Sequence, residues 1–261
     1  MNDFIEFNKF SFLDDRKNIF FCKTDYAFSF FEDLKNKPPS DPKKIFLIIG
    51  NSDRSIDDSY ALALPDFVAK VFGQNVTTQD RRFEALPMGL ENSTESAIGK
   101  KHGIAWPRSK TLQKHLSDAL DIPTSKFIYS NFRCGTNSHH RSQVDVLSQQ
   151  IDFITRDAPN LSTTEFHNQI LDHKITLCPA GNGVDTHRLW EVLYLNRVPL
   201  TIKVGDYKIY DLYKDLPIII LDSIDDLLDK DLIQKKYNDA LLKTTNMAYF
   251  PFWKNHILSC I

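Results

Sequence analysis

The chain has 261 residues, room for one large domain or two of about 100 to 150 each. With 42% hydrophobic residues, 25% charged residues and 19 phenylalanines, its composition excludes a disordered polypeptide. A formal charge of −2 argues against a nucleic-acid binder that relies on bulk positive potential. The four cysteines, Cys22, Cys134, Cys178 and Cys260, form no Cys-x-x-Cys pair, so neither a zinc site nor a disulfide framework is suggested.

From the start of the chain, Met1-Asn2-Asp3-Phe4-Ile5-Glu6-Phe7 carries acids where a secretion signal needs bases. No apolar run approaches the ~18 residues of a membrane span, so the expectation is a cytoplasmic protein with no membrane span. Strands are predicted at Asn18–Cys22, Lys44–Ile49, Phe67–Phe72 and Phe83–Pro87, with a helix over Tyr26–Leu34, which describes a smaller α/β unit. Lys35–Lys43, with Pro38, Pro39 and Pro42, reads as a surface connection inside it. The strand Lys44–Ile49 runs into Gly50-Asn51-Ser52-Asp53-Arg54, a polar loop at a strand end. A helical pattern over Leu112–Leu120 is ended by Asp121-Ile122-Pro123, which places a boundary there.

Beyond it, strands at Lys126–Ser130, Ile151–Thr155, Lys174–Cys178, Val198–Ile202 and Pro217–Leu221 alternate with helical patterns near His139–Gln149, Thr163–Leu171, Thr186–Leu195 and Ile224–Leu228. Such alternation implies a parallel sheet with helices on both faces, a Rossmann-like half whose ligands bind beyond the carboxyl ends of the strands. The expected division is 1–122, 123–248 and a final segment 249–261 that packs back on the first half.

The densest signal lies in Pro179-Ala180-Gly181-Asn182-Gly183-Val184-Asp185-Thr186-His187-Arg188-Leu189-Trp190-Glu191, a glycine loop between a strand and a helix. A helix starting near Asp185 or Thr186 would aim its free N–H groups and dipole over the loop, and Gly181 and Gly183 would let a phosphate or diphosphate approach, with Asn182 between them. Arg188, in the first helical turn, would add positive charge to that anion or form a surface salt bridge. Asp185 and Thr186 are both good N-caps; were Asp185 to touch ligand, it would accept from a sugar or base. His187 would assist an anion at the helix entrance or lie on plain surface. Tyr129–Arg141 repeats the strand-loop-helix order with Asn137 or Ser138 as cap, and Arg133 or Arg141 could grip the same anion from the opposite side. His139-His140 is not a metal motif, because adjacent helical residues point apart.

The run Pro-x-Gly-x-Gly-x-Asp-Thr-x-Arg-x-x-Glu at Pro179–Glu191, followed by a Val-Pro-Leu strand at Val198–Leu200, resembles the nucleotide-sugar site of exostosin-like glycosyltransferases. Asn131-Phe132 with a downstream arginine, Phe72–Asn75 and Leu86–Glu91 echo the same family, which places a Pro-x-Gly strand end beside the acceptor cleft. The resemblance implies a GT-B arrangement of two Rossmann-like halves facing a cleft. It also implies a nucleotide-diphosphate sugar donor, a saccharide or other hydroxyl acceptor, and a hydrogen bond from Glu191 to sugar or ribose, for which a pair with Arg188 or Arg197 is the alternative. Transfer would be inverting; separately, with no metal motif and no Asp-x-Asp triplet of the metal-dependent kind read in the chain, the expectation is chemistry without a required metal or cofactor. The donors named above would take the charge of the leaving diphosphate, and a base would come from the first half. Asp53 is the candidate base, with Asp57 and Asp58 behind it; a turn residue capping nearby N–H groups is the plainer reading of Asp53. Pro87 and Gly89 read equally as loop formers, and Trp106, Trp190 and Trp253 as core rather than sugar platforms. A binding module without transferase activity is the competing expectation. A dinucleotide oxidoreductase lacks its Gly-x-Gly-x-x-Gly spacing.

Overall fold

A computed structural model describes residues 4–14, 18–40, 45–92 and 123–261. The predicted helix Leu112–Leu120, most of the boundary before Pro123, and Trp106 lie outside the described residues.

The first half carries a parallel sheet of four strands, β1 (Ile19–Lys23), β2 (Ile45–Gly50), β3 (Val68–Gly73) and β4 (Phe83–Ala85), in that spatial order. Each predicted strand is present within one or two residues of its expected ends. Every residue of β2 is buried, as expected of a strand covered on both faces. Its side chains alternate between two cores. Ile45, Leu47 and Ile49 pack with Phe31 and Leu34 of α1 (Ala27–Asn36) and Tyr60 of α2 (Asp58–Ala63). Phe46 and Ile48 face Phe7 and Phe10, from a 3-10 turn at Phe7–Leu13, together with Trp253 and Ile257 from the end of the chain.

The second half carries a parallel sheet of five strands: β5 (Lys126–Ser130), β6 (Ile154–Arg156), β7 (His173–Leu177), β8 (Val198–Ile202) and β9 (Ile219–Leu221). Their spatial order is β6-β5-β7-β8-β9. The helices are α3 (Ser138–Ser148), α4 (Thr163–Asp172), α5 (His187–Tyr194), α6 (Ile209–Asp215) and α7 (Lys230–Ala240). The protein is therefore α/β with two parallel sheets. The strands at 126–130 and 198–202 have the predicted bounds, whereas Ile151–Thr155 shifts to Ile154–Arg156 and Ile224–Leu228 is a 3-10 turn at Asp225–Leu228. The helices α2, α6, α7 and α8 (Phe250–Ser259) were not anticipated.

The strand order reverses between β5 and β7, since the chain moves from β5 outward to β6 and then returns to the other side. Loops leaving such a pair diverge and open a crevice at the carboxyl edge. The Asn131–Asn137 and Cys178–Thr186 loops occupy this position.

The two sheets share one core. Trp190, Tyr194 and Tyr213 cluster with Phe46, Ile48 and Phe72. Helix α8 returns to the first half: the Phe250 ring lies 5.2 Å from that of Phe10, and His256 Nε2 is 2.6 Å from Glu84 Oε1. Among the described residues no helix is long and apolar enough to cross a membrane.

Candidate functional site

A cleft of about 880 Å³ lies between the halves, and its walls come from the carboxyl-end loops of both sheets. Lys23 ends β1 and Asp25 follows it, Asn51 to Arg54 follow β2, Gln74 follows β3, and Met88, Glu91 and Asn92 follow β4. The second half supplies Thr136 from the loop after β5, with Asn182 and His187 from the loop and helix after β7.

The glycine loop is where expected, at the carboxyl end of β7, but the groups it meets are mostly protein. A Cβ on Gly181 would lie 3.0 Å from the Arg141 guanidinium, and one on Gly183 would lie 3.1 Å from both side-chain heteroatoms of Asn75. The groups that approach these two glycines closely are thus Arg141 and Asn75. Of the loop, exposed Asn182 is the residue that lines the cleft, and its Nδ2 donates to Asp53 Oδ2 at 3.2 Å.

The capping roles expected at the start of α5 are not those found. Thr186 is the N-cap residue, yet its side chain makes no capping bond. Asp185 is buried and accepts three hydrogen bonds instead, from Met88 N at 2.6 Å, Trp190 Nε1 at 2.7 Å and the Tyr213 hydroxyl at 2.6 Å. Burial pushes its carboxyl above the usual carboxylate range, while the three donors pull the other way. Asp185 therefore ties the Met88 strand end of the first half to the second.

His187 makes the neighbouring tie. Its Nδ1 lies 2.8 Å from Gly89 O and its Nε2 lies 3.0 Å from Glu91 Oε2. A carbonyl and a carboxylate are both acceptors, so only the doubly protonated ring satisfies the two contacts. Burial opposes that charge, but the hydrogen bond and charge of Glu91 outweigh it and hold the His187 pKa above its ordinary value. Lys208 adds a third tie, donating from Nζ to Asp80 O and Phe83 O at 2.9 and 2.8 Å.

The arginines separate. Arg141 is drawn into the loops: Nε donates to Ala180 O at 2.9 Å, one terminal nitrogen to Pro179 O at 3.1 Å, and the other to Arg133 O and Thr136 Oγ1 at 2.9 and 2.6 Å. It clamps the two switch-point loops together, with Asn137 Nδ2 donating to Gly181 O at 3.0 Å and Asn137 Oδ1 capping α3 through His140 N. Arg133 is exposed and lines a second crevice, of about 500 Å³, over the ends of β5 and β6. Arg188 lies over the Phe166 ring at 5.0 Å, and its charge opposes the burial that pushes the Cys178 thiol up to about 12. Glu191 is buried on α5. Neither Arg188 nor Glu191 lines the cleft.

Asp53 is exposed on the first-half wall. Asp57 and Asp58 have local duties: Asp57 caps α2 by accepting from Ser59 N, and Asp58 accepts from Thr78 Oγ1 at 2.6 Å. Trp190 and Trp253 are core residues. The expected absence of an Asp-x-Asp triplet does not hold: Asp229-Lys230-Asp231 is one, at the start of α7, where Asp229 is an N-cap accepting from Leu232 N at 2.9 Å.

Sequence reasoning missed the amides of the cleft. Asn51 N donates to Gln74 Oε1 at 2.7 Å, Asn51 Nδ2 to Asn8 Oδ1 at 2.6 Å, and Asn8 N to Asn92 Oδ1 at 2.9 Å. One signal was available: Asn51 and Asn75 each follow a strand, and asparagine is the non-glycine residue best suited to the positive φ they adopt, 55° and 53°. No protein-family model matches the chain, and no curated protein is similar to it in sequence.

Proposed function

We propose that the protein is a glycosyltransferase of GT-B type that moves a sugar from a nucleotide diphosphate to a saccharide hydroxyl, with inversion and without a required metal. The observation that carries the reading is the cleft: both parallel sheets turn their carboxyl ends to it, and a carboxylate of one half, Asp53, is held by an amide of the other, Asn182. The exostosin-like order of residues in Pro179–Glu191 supports it.

In this reading the donor lies over the loop Asn131–Asn137, with Arg133 and Thr136 beside the diphosphate and the sugar reaching Asn182. Asp53 takes the proton of the acceptor hydroxyl as that oxygen attacks the anomeric carbon. The bond to the diphosphate breaks and the diphosphate leaves with the electron pair, its charge met by Arg133, Thr136 and Asn182. Arg188, Glu191 and Arg141 position these loops. Asp185 and His187 hold the halves in register, with Thr186 between them at the start of α5.

A binding module without turnover is favoured by one observation, that the glycines and acids of the loop are largely satisfied by protein groups. Thermal shift with a set of nucleotide sugars, followed by assay of donor hydrolysis and transfer, separates the readings. A nucleotide diphosphate should raise Tm without added metal, and Arg133→Ala should remove most of that rise. Asp53→Asn should abolish turnover and leave the rise intact. Stabilisation without turnover by the wild type on any donor establishes the binding module, and no stabilisation by any nucleotide refutes both.

A further inference from the structure

The sheet of the second half ends, among the described residues, at β9. That edge is recessed. A groove of about 650 Å³ lies along it, with Ile218, Ile219 and Ile220 as its floor and residues of α6 and α7 on its two rims. Helix α6 packs on one face of the sheet, where Ile209 and Tyr213 join Ile218, and α7 on the other, where Ile233 and Ala240 join Ile219 and Leu221. Leu221 O accepts from Lys203 N at 2.8 Å, so Leu221 faces β8. Backbone groups alternate in direction along a strand, so Ile220 turns its N–H and C=O into the groove. On either side the donors are already used, Ile218 N on Leu216 O at 2.7 Å and Asp222 N on Asp226 Oδ2 at 3.0 Å. Ile220 thus offers one donor and one acceptor side by side, the pair that another strand completes.

A second copy of the chain does not suit this edge, because a strand recessed between its own two helices cannot enter an identical recess. A single extended segment can. Its alternate side chains would turn to the two rims. On the α6 side they meet the Tyr207 ring and two lysines already paired locally, Lys203 with Asp206 at 3.4 Å and Lys214 with Asp211 at 2.7 Å. On the α7 side they meet Lys236 and Lys243, which have no carboxylate within salt-bridge distance among the described residues. Burial holds the Lys243 pKa below its ordinary value although Asp215 and Asp239 pull it upward, so an incoming carboxylate would replace solvation that this lysine lacks. Asp222 and Asp239 line the groove as well, so the attraction for an acid is local to the two lysines. Leu241 and Leu242, directly before Lys243, are 58% and 86% exposed and add apolar surface beside that rim.

We propose that this groove takes an extended segment of a partner protein as an added strand on β9, apolar where its side chains face α6 and acidic where they face α7. The groove shares no lining residue with the cleft, so the transferase reading neither supports this docking nor depends on it.

The probes are two labelled hexapeptides, one alternating Val and Glu and one alternating Val and Lys, titrated against the whole protein by fluorescence anisotropy while NMR follows hydrogen exchange at the Ile220 amide. The Val-Glu peptide should bind at least about tenfold more tightly than the Val-Lys peptide, and its saturation should slow exchange at Ile220 about tenfold or more. Ile220→Pro removes the donor that faces the groove. That N–H serves no bond to β8, and an edge strand tolerates proline, so the variant should fold and lose about tenfold in affinity. Lys236→Glu combined with Lys243→Glu should reverse the preference toward the Val-Lys peptide. Should Ile220→Pro not fold, the exchange measurement on the wild type and the charge reversal decide. Absence of binding by either peptide, equal affinity for both, or exchange at Ile220 unchanged by bound peptide would overturn the proposal. So would an Ile220 amide already protected in a dimer without peptide, since a second copy would then hold the edge.

Discussion

The loop after β7 and the loop after β2 occupy equivalent places, each at the carboxyl end of an interior parallel strand, yet they are used differently. Between Cys178 and Thr186 the glycines are packed on Arg141 and Asn75, and Asp185 is enclosed by three donors. Between Asn51 and Arg54 the chain lines the cleft, and Asp53 and Arg54 are exposed. The conspicuous loop welds the halves and the inconspicuous one faces the cleft. Glycines report that something approaches the backbone closely, and the approaching group can be another part of the chain as readily as a phosphate.

The sharpest break of this comparison exchanges one aspartate from each loop. Asp185→Ala strands the Met88 N–H, the Trp190 indole N–H and the Tyr213 hydroxyl in the core. Loss of a buried acceptor for several donors should lower the unfolding free energy by about 3 kcal/mol or more. Asp53→Ala removes an exposed carboxylate and should stay within about 0.5 kcal/mol of wild type. Denaturant titrations of the two variants check both, and comparable losses would erase the distinction between the weld and the loop that lines the cleft.

A smaller effect tests who occupies the space over the glycines. A methyl on Gly183 meets the Asn75 amide at 3.1 Å, so Gly183→Ala should destabilise by about 1 kcal/mol. Asn75→Gly removes that amide and suits the positive φ of 53°. In its background the alanine should be nearly neutral, giving a coupling of about the same size in a double-mutant cycle. Strict additivity would mean that Asn75 is not what holds Gly183 to glycine.

Much of the scaffold was legible in the sequence because its strands are short apolar runs closed by turn residues. Val198–Ile202 and Lys126–Ser130 are examples, and the strand-helix alternation led directly to parallel sheets. Helices α6 and α7 were not read, since Ile209–Asp215 is only seven residues long and Lys230–Ala240 buries just Ile233 and Ala240, too few apolar positions to set a period. The site was legible only as a neighbourhood. That Asp185 faces Met88, 97 positions earlier, and that Asn8 meets Asn51 and Asn92, are products of tertiary packing, and no local spacing carries them. Local rules also misled at Thr186: the N-cap position was right, but its side chain makes no capping bond, and Asp185 is taken by longer-range donors.

The mildest test concerns the weld made by His187. Both of its ring nitrogens face acceptors, Gly89 O and the Glu91 carboxylate, and the ring is held as a cation with its pKa above the free value. A group whose pKa is raised by folding contributes fully below its unfolded pKa, about 6.5 for histidine, and that contribution disappears as pH rises through the folded value. The stability difference between wild type and His187→Gln should therefore be greatest near pH 6, by this reckoning, and shrink on going to mildly alkaline solution. With its side chain 33% exposed, His187 is screened by solvent, so the change should be smaller than the Asp185 or the Gly183 effect. A difference that instead grows with pH would mean that the neutral ring makes the weld.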